Sequence, residues 1–169
     1  RAGMSPTVIR KSEGKSCKWC RGLAGKYEYP DMPRDVWRRH QRCRCTVIYD
    51  PGDGKKVNVH TKARVSTQDE AQMEARKFLG LKANGTPLKS VSKHTIDRLS
   101  SGSVTSQRVI DALRNPVHVR SANLSDGTTV MEIIGKGATL HVDQSSGVLL
   151  NAYQTHSETV KRYRRKGKK

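Results

Sequence analysis

Two short clusters of soft metal ligands, Cys17-Lys18-Trp19-Cys20 and His40-Gln41-Arg42-Cys43-Arg44-Cys45, contain all four cysteines of the chain. No other feature constrains its folding as much. A C-x-x-C step turns tightly enough to aim two thiolates at one point, and a second cluster about twenty residues on completes a tetrahedron around zinc. Two disulfides are the alternative. The mixed His/Cys pattern and the lack of a secretory signal favour metal. Cys17, Cys20, His40, Cys43 and Cys45 are one ligand more than a tetrahedron needs, so His40 or one of Cys43 and Cys45 stands outside the first shell. Four protein ligands leave no position for water, so such a zinc is structural and takes no part in catalysis. Between the clusters Gly22, Gly25, Pro30 and Pro33 break any regular period, which leaves the metal as the natural core of this stretch.

The chain of 169 residues is long enough for one domain or two small ones, and its net charge of +18 points to polyanions, nucleic acid first. The charge is unevenly placed. Residues 1–62 carry 15 Lys/Arg against 6 Asp/Glu, 63–86 carry 4 against 3, and 87–169 carry 14 against 6. Seven of those last 14 lie in the basic stretch Lys161 to Lys169, so the C-terminal part without it is nearly neutral. No apolar run approaches the eighteen or so residues of a membrane span. A chain that opens at Arg1 without a methionine or a signal peptide is expected to be the C-terminal piece of a longer protein.

In chain order, Thr7-Val8-Ile9 is a short strand, Asp35 to Gln41 a helical turn or two delivering His40, and Arg44 to Tyr49 a strand ending at Asp50-Pro51-Gly52-Asp53-Gly54. Lys55 to His60 alternates again, which predicts a hairpin. Several separated motifs in residues 1–62 resemble the C-terminal part of phage head morphogenesis proteins of the MuF type. They are Met4-Ser5-Pro6 through Ile9-Arg10-Lys11, the Cys17–Cys20 knuckle, Leu23-Ala24-Gly25-Lys26-Tyr27, and Val36-Trp37-Arg38-Arg39-His40 to Cys43-Arg44-Cys45-Thr46-Val47-x-Tyr49. The resemblance implies a place at the portal region of a phage head and a variable C-terminal extension that serves as a toxin. It supplies no catalytic residue in this first part.

Thr67 and Glu70 are spaced as a capping box, opening a helix that runs to Gly80 and links the two parts over residues 63–86. Asn84-Gly85-Thr86-Pro87 breaks the chain. Lys89 to Leu99 is then a helix with His94 and Arg98 at i and i+4, and Thr105 starts a second that Pro116 stops. Four strands follow at 117–122, 128–134, 138–143 and 148–153, joined by short turns as an antiparallel meander. The fold class is α+β: a small zinc-stabilised N-terminal module over 1–62, a linker helix, and a domain over 87–160 of two helices followed by a four-stranded antiparallel sheet, with a basic tail over 161–169.

The strand period of two puts Leu140 and Val142 on one side and His141 on the other, and it lines up Asn151, Tyr153 and Thr155, with His156 next. His94, Arg98, His141, Thr155 and His156 are therefore the candidate catalytic groups. Lys93, Asn151, Tyr153, Arg162, Arg164 and Arg165 are candidate RNA contacts, and the basic stretch tracks phosphates. The order of helix with His-x-x-x-Arg, helix, and meander ending in Leu149-Leu150-Asn151-Ala152-Tyr153-Gln154-Thr155 is similar to small RNase toxin domains of the barnase, EndoU, colicin and RelE-like group. Asn151 departs from the Thr such toxins often carry in a Thr-Ala-Tyr stretch.

That resemblance implies metal-independent cleavage of RNA, with tRNA as one candidate, and neutralisation by a dedicated immunity protein. It also implies delivery in a virion or by a bacterial export system, with action in the target-cell cytoplasm. In this chemistry a base deprotonates the ribose 2′-hydroxyl, an acid protonates the leaving 5′-oxygen and a cation holds phosphate charge. His94 is expected in proton transfer, Arg98 on phosphate, Thr155 as a phosphate hydrogen-bond donor, and His141 or His156 as second proton carrier. A metal-dependent DNase is disfavoured, because residues 88–169 hold no acid-and-histidine cluster of nuclease spacing. The rival reading is a non-enzymatic head or portal component whose charge binds packaged DNA or a partner protein.

Overall fold

The computed structural model describes residues 5–12, 16–39 and 45–166. Packing divides the chain into two compact units, Arg1–Ser66 with Ser101–Ser103, and Thr67–Ser100 with Val104–Lys169. The described residues are α+β, with five α-helices and sheets whose strands pair almost entirely antiparallel.

In the first unit β1 (Thr7–Lys11) lies between β2 (Gly25–Glu28) and β3 (Thr46–Asp50), and the two-residue β4 (Val57–Asn58) pairs with the outer side of β3. Alternation along β1 turns Val8 and Arg10 inward, at 0% and 1% exposure. Val8 packs with Val36 and Val47 as a small core. Arg10 reaches sideways. Its Nη1 donates to the carbonyls of Val36 (2.6 Å) and Arg38 (2.8 Å), tying β1 to the 3-10 turn Arg34–Trp37. Between β1 and β2 stands α1 (Lys18–Gly22), the single turn that carries the C-x-x-C step.

The second unit opens with α2 (Gln68–Arg76), whose capping box is complete: Thr67 Oγ1 accepts from Glu70 N at 3.2 Å and Glu70 Oε2 accepts from Thr67 N at 2.8 Å. The sequence reading made this helix a linker, whereas here it packs on α3 (Lys93–Ser100) and belongs to the second unit. Asn84 and Gly85, with φ of 46° and 92°, turn a minimal hairpin between β5 (Lys82–Ala83) and β6 (Thr86–Pro87). After the two-residue β7 (Ser90–Val91), α3 and α4 (Ser106–Arg114) precede β8 (His118–Asn123), β9 (Thr129–Ile134), β10 (Ala138–Asp143) and β11 (Val148–Gln154). Strand order is β7-β11-β10-β9-β8, with β7 parallel to β11 and every other pair antiparallel.

One face of this sheet carries the core. Met131, Ile133, Leu140, Val142, Leu149 and Ala152 pack against Thr95's neighbour Leu99 on α3, against Val109, Ala112 and Leu113 on α4, and against Ala71 and Ala75 on α2. Residues between those positions in each strand point to the opposite face. The last helix, α5 (Ser157–Lys166), lies on that opposite face at β8, where the Tyr163 ring stacks on His118 at 4.3 Å with the planes 16° apart.

Close approach of α4 to the end of β9 needs a residue without a side chain. A Cβ on Gly135 would stand 2.5 Å from Ala112 Cβ and 2.8 Å from Ala112 Cα. Gly135→Ala is expected to destabilise the protein by about 1–3 kcal/mol, the range for overpacking a filled core. A urea unfolding curve reads this as a lower midpoint at constant slope; an unchanged midpoint would show that α4 can withdraw.

Candidate active site

Register and pleat together build one polar row across the face opposite the core. Arg120 on β8 is directly opposite Glu132 on β9, Glu132 is opposite His141 on β10, and His141 is opposite Asn151 on β11. Four strands thus contribute one polar residue each at the same height. Val130 and Ile134 flank Glu132 on this face and are 2% exposed, so the row lies in apolar surroundings.

Glu132 holds the row together. Its Oε2 accepts from Arg120 Nε at 2.5 Å and its Oε1 is 3.3 Å from His141 Nε2. Glu132 is 7% exposed, and its pKa is lowered to about 2 by the His141 hydrogen bond and by Arg120, against the opposing effect of burial. An ionised carboxylate faces His141 Nε2, so that nitrogen carries a proton and donates it; the reverse tautomer would set a lone pair against negative charge. Tyr153 stands beyond, its hydroxyl 3.4 Å from the same nitrogen and its ring edge-on to the imidazole at 5.5 Å. His141 Nδ1 is left for other partners. Arg120 likewise uses only Nε in its ion pair with Glu132, and its side chain is 47% exposed.

A β-bulge sits beside the row. His141 pairs with Asn151 but Val142 pairs with Leu149, so Leu150 is extra on β11. Ser92 fixes the irregularity: its Oγ donates to Leu150 O at 2.6 Å and accepts from Thr95 N at 3.1 Å. Asn151 Oδ1 is buried with no hydrogen-bond partner. Of the residues proposed from sequence, the sheet brings together His141, Asn151 and Tyr153. Thr155 is close by but engaged, sharing a hydrogen bond of 2.9 Å with Thr139, and is 8% exposed.

His94 and Arg98 are elsewhere. Both are on α3, which packs on the core face of the sheet, with His94 exposed and Arg98 at 5% exposure beside Leu99. Lys93 is exposed on the same helix. His156 directly precedes α5, its carbonyl accepting from Thr159 N and Val160 N. The basic stretch is helical through Lys166, with Arg164 and Arg165 exposed and the Arg162 guanidinium 4.9 Å from the Tyr163 ring centroid. Arg120 and Glu132 were not anticipated from sequence. The visible signal for Glu132 was a lone acid inside the apolar strand Thr129-Val130-Met131-Glu132-Ile133-Ile134.

In the first unit, Cys17 is exposed, while Cys20 and Cys45 pack together in the interior. Cys17 caps α1, its Sγ accepting from Cys20 N at 3.4 Å. Arg10 Nη2 lies 3.8 Å from Cys20 Sγ. This buried guanidinium has two carbonyls and a sulfur as hydrogen-bond partners and, among the described residues, no carboxylate. A buried cation favours a negatively charged partner, which a thiolate is and a disulfide sulfur is not. His40 and Cys43 lie outside the described residues, and among the described residues no group of three or more His, Cys, Asp or Glu, the three cysteines included, is placed to hold a metal ion. His60 Nε2 is also buried without a hydrogen-bond partner.

No family model, curated protein or solved structure matches the chain. Among the described residues no helix is long and apolar enough to cross a membrane.

The pH dependence of stability follows from Glu132. Its folded pKa lies below the ordinary 4.5, so its stabilising contribution is present in full above pH 4.5 and is lost as pH falls through about 2. Glu132→Gln is expected to cost about 1–3 kcal/mol at pH 7, with the gap to wild type closing as both are acidified below pH 4.5. Thermal melts across pH 2–7 check it; a constant gap would mean that the carboxylate charge is not what stabilises the row.

Proposed function

We propose that residues 87–160 are a metal-independent endoribonuclease, the toxin part of a phage-derived polymorphic toxin whose first part resembles a MuF-type head protein. The observation that carries this is the row Arg120–Glu132–His141–Tyr153: a cation, an ionised carboxylate, an imidazole and a phenol on four adjacent strands. These are the group types that 2′-hydroxyl attack requires, and RNA is the substrate that has this nucleophile.

Roles follow from protonation. Glu132 is too acidic to serve as the base, so it remains ionised and fixes the tautomer of His141. His141 Nδ1 takes the proton from the ribose 2′-hydroxyl, and the resulting imidazolium is stabilised by Glu132. The 2′-oxygen bonds to phosphorus and the bond to the 5′-oxygen breaks. The terminal nitrogens of Arg120 hold the charge that builds on the phosphate oxygens, and the Tyr153 hydroxyl donates to the leaving 5′-oxygen. Products are a 2′,3′-cyclic phosphate and a 5′-hydroxyl. Basic α5, docked beside Arg120 through Tyr163, holds flanking phosphates with Arg162, Arg164 and Arg165. A dedicated immunity protein is the expected partner of such a domain.

In the first part, Cys17, Cys20 and Cys45 hold structural zinc with a fourth ligand from His40 or Cys43, and Arg10 balances the thiolate charge. Zinc supplies a fixed core there. Wild-type protein is expected to contain one zinc, and Arg10→Met to weaken its affinity about 10–100-fold, as loss of an outer-shell partner does. Cobalt substitution with optical detection of sulfur-to-metal charge transfer reads both; absence of that band would remove the metal.

The ribonuclease is tested on total RNA and purified tRNA in chelator. His141→Ala and Arg120→Gln are expected to lower cleavage by about 10²–10⁴-fold, while His94→Ala stays near wild type. Intact RNA with folded wild-type protein would favour the non-enzymatic head or portal component. Loss of cleavage in His94→Ala alone would move the site to α3.

A further inference from the structure

We propose that the β7 edge of the second unit, together with the side of α2 that faces it, is a docking groove for an extended acidic segment of a partner protein. The groove is a cleft of about 200 Å³ whose lining includes Ala75 and Arg76 of α2, Leu79 just beyond it, Lys89 and Val91 at β7, and Ile96 of α3. That volume is below the roughly 300–1,000 Å³ of small-molecule sites and suits a side chain or two of a longer ligand.

The backbone supplies the first handle. β7 is the edge strand of the five-stranded sheet and is only two residues long. Ser92 N donates to Leu149 O at 3.0 Å, and backbone groups alternate sides along a strand, so the Val91 N–H and C=O point away from β11. An added strand uses such a pair of groups for one hydrogen-bonded residue pair. The surroundings are apolar. Ala75 is 3% exposed, Val91 and Ile96 pack half-buried against the core, and Leu79 is left 45% exposed. A strand with apolar residues at alternate positions lays them over Leu79, Val91 and Ile96 and removes that surface from water.

Charge identifies the occupant. Arg76 and Lys89 are both exposed, one from α2 and one from β7, and no Asp or Glu lines the cleft among the described residues. The acids nearby on the same helices are engaged: Glu74 accepts from Lys77 and Ser106, and Asp97 accepts from Gln68. A second copy of this chain, itself at +18, meets like charge here. Nucleic acid finds two cations but no aromatic ring to stack on, and apolar walls where its sugars and phosphates need donors. An acidic strand with alternating apolar residues uses the cations, the walls and the edge together. The polar row lies on the sheet face opposite α2 and α3, so the groove does not rest on the ribonuclease reading.

The probe is a labelled octapeptide of alternating Glu and Val, its binding to the full chain followed by fluorescence anisotropy. Arg76→Gln/Lys89→Gln is expected to weaken binding about three- to tenfold, with the difference shrinking as salt rises. Leu79→Asp, at an exposed position where folding is not at stake, is expected to weaken it about tenfold or more, because like charge replaces apolar contact. A peptide N-methylated at alternate residues keeps its side chains but loses donors, and is expected to bind about three- to tenfold more weakly. Absence of wild-type binding at about 1 mM peptide, or unchanged affinity in both protein variants, would overturn the proposal. So would octa-glutamate that binds as tightly as the Glu-Val peptide, since the apolar walls would then have no part. Oligo-dT that displaces the peptide and itself loses affinity in the same two variants would assign the groove to nucleic acid and overturn it as well.

Discussion

The Glu132 carboxylate, shared between Arg120 and His141, is the interaction on which the second unit depends. A carboxylate on a residue that is 7% exposed has lost much of its water and must recover that free energy from protein donors. It does so with both oxygens, one toward β8 and one toward β10, so a single charge fixes the lateral position of three strands. A one-residue slip of any of them would turn its polar member into the apolar core and leave the carboxylate short of a partner. Register and chemistry are thus specified by the same contact. The bulge at Leu150 extends this to β11, bringing Asn151 opposite His141 while the strand continues in step on its other side.

Much of this architecture was legible in the sequence. The meander from Val117 to Tyr153, both helices before it and the capping box at Thr67 follow from period and turn chemistry, which are local properties. That His141 faces away from Leu140 and Val142 was equally local. What was not legible is which groups meet across strands, because pairing register depends on residues far apart in the chain. His94 and Arg98 share a side of α3, but helical spacing alone does not say which layer that side faces. Here the buried neighbours Thr95 and Leu99 draw α3 onto the core face. Arg120, in the alternating stretch Val119-Arg120-Ser121, carries no local mark of the Glu132 it faces on the next strand.

Arg10 poses the same problem in the first unit with the sign reversed. A guanidinium at 1% exposure is costly, and neutral carbonyls recover only part of the loss. The sulfur of Cys20 is its one described contact able to carry a negative charge. A sequence of strand Thr7-Val8-Ile9-Arg10-Lys11 shows two adjacent cations, and nothing local distinguishes the buried Arg10 from the exposed Lys11. The period of two does, once Val8 is known to face inward. Glu132 in the row and Arg10 in the first unit are both buried charges whose cost is set by their neighbours, Arg120 and His141 for one, two carbonyls and the Cys20 sulfur for the other.

The basic C-terminal stretch shows how tertiary contact changes the meaning of composition. By charge alone Lys161 to Lys169 describes a solvated tail, since like charges one turn apart repel and favour extension. One aromatic residue reverses that. Tyr163, 8% exposed, stacks on His118, and the Arg120 guanidinium lies 5.8 Å from its ring centroid, so the helix is docked at the β8 end of the polar row. Docking confines Arg162, Arg164 and Arg165 to one location. A flexible tail must give up its freedom for each phosphate it meets, whereas cations already held in place bind at lower entropic cost. On the proposed chemistry this solves a problem set by the rest of the domain. Without α5 the domain is close to neutral and its single row-end cation, Arg120, is partly neutralised by Glu132. The helix adds phosphate affinity without adding a charge inside the row, so Glu132 can stay ionised and His141 can keep the tautomer that leaves Nδ1 for the substrate.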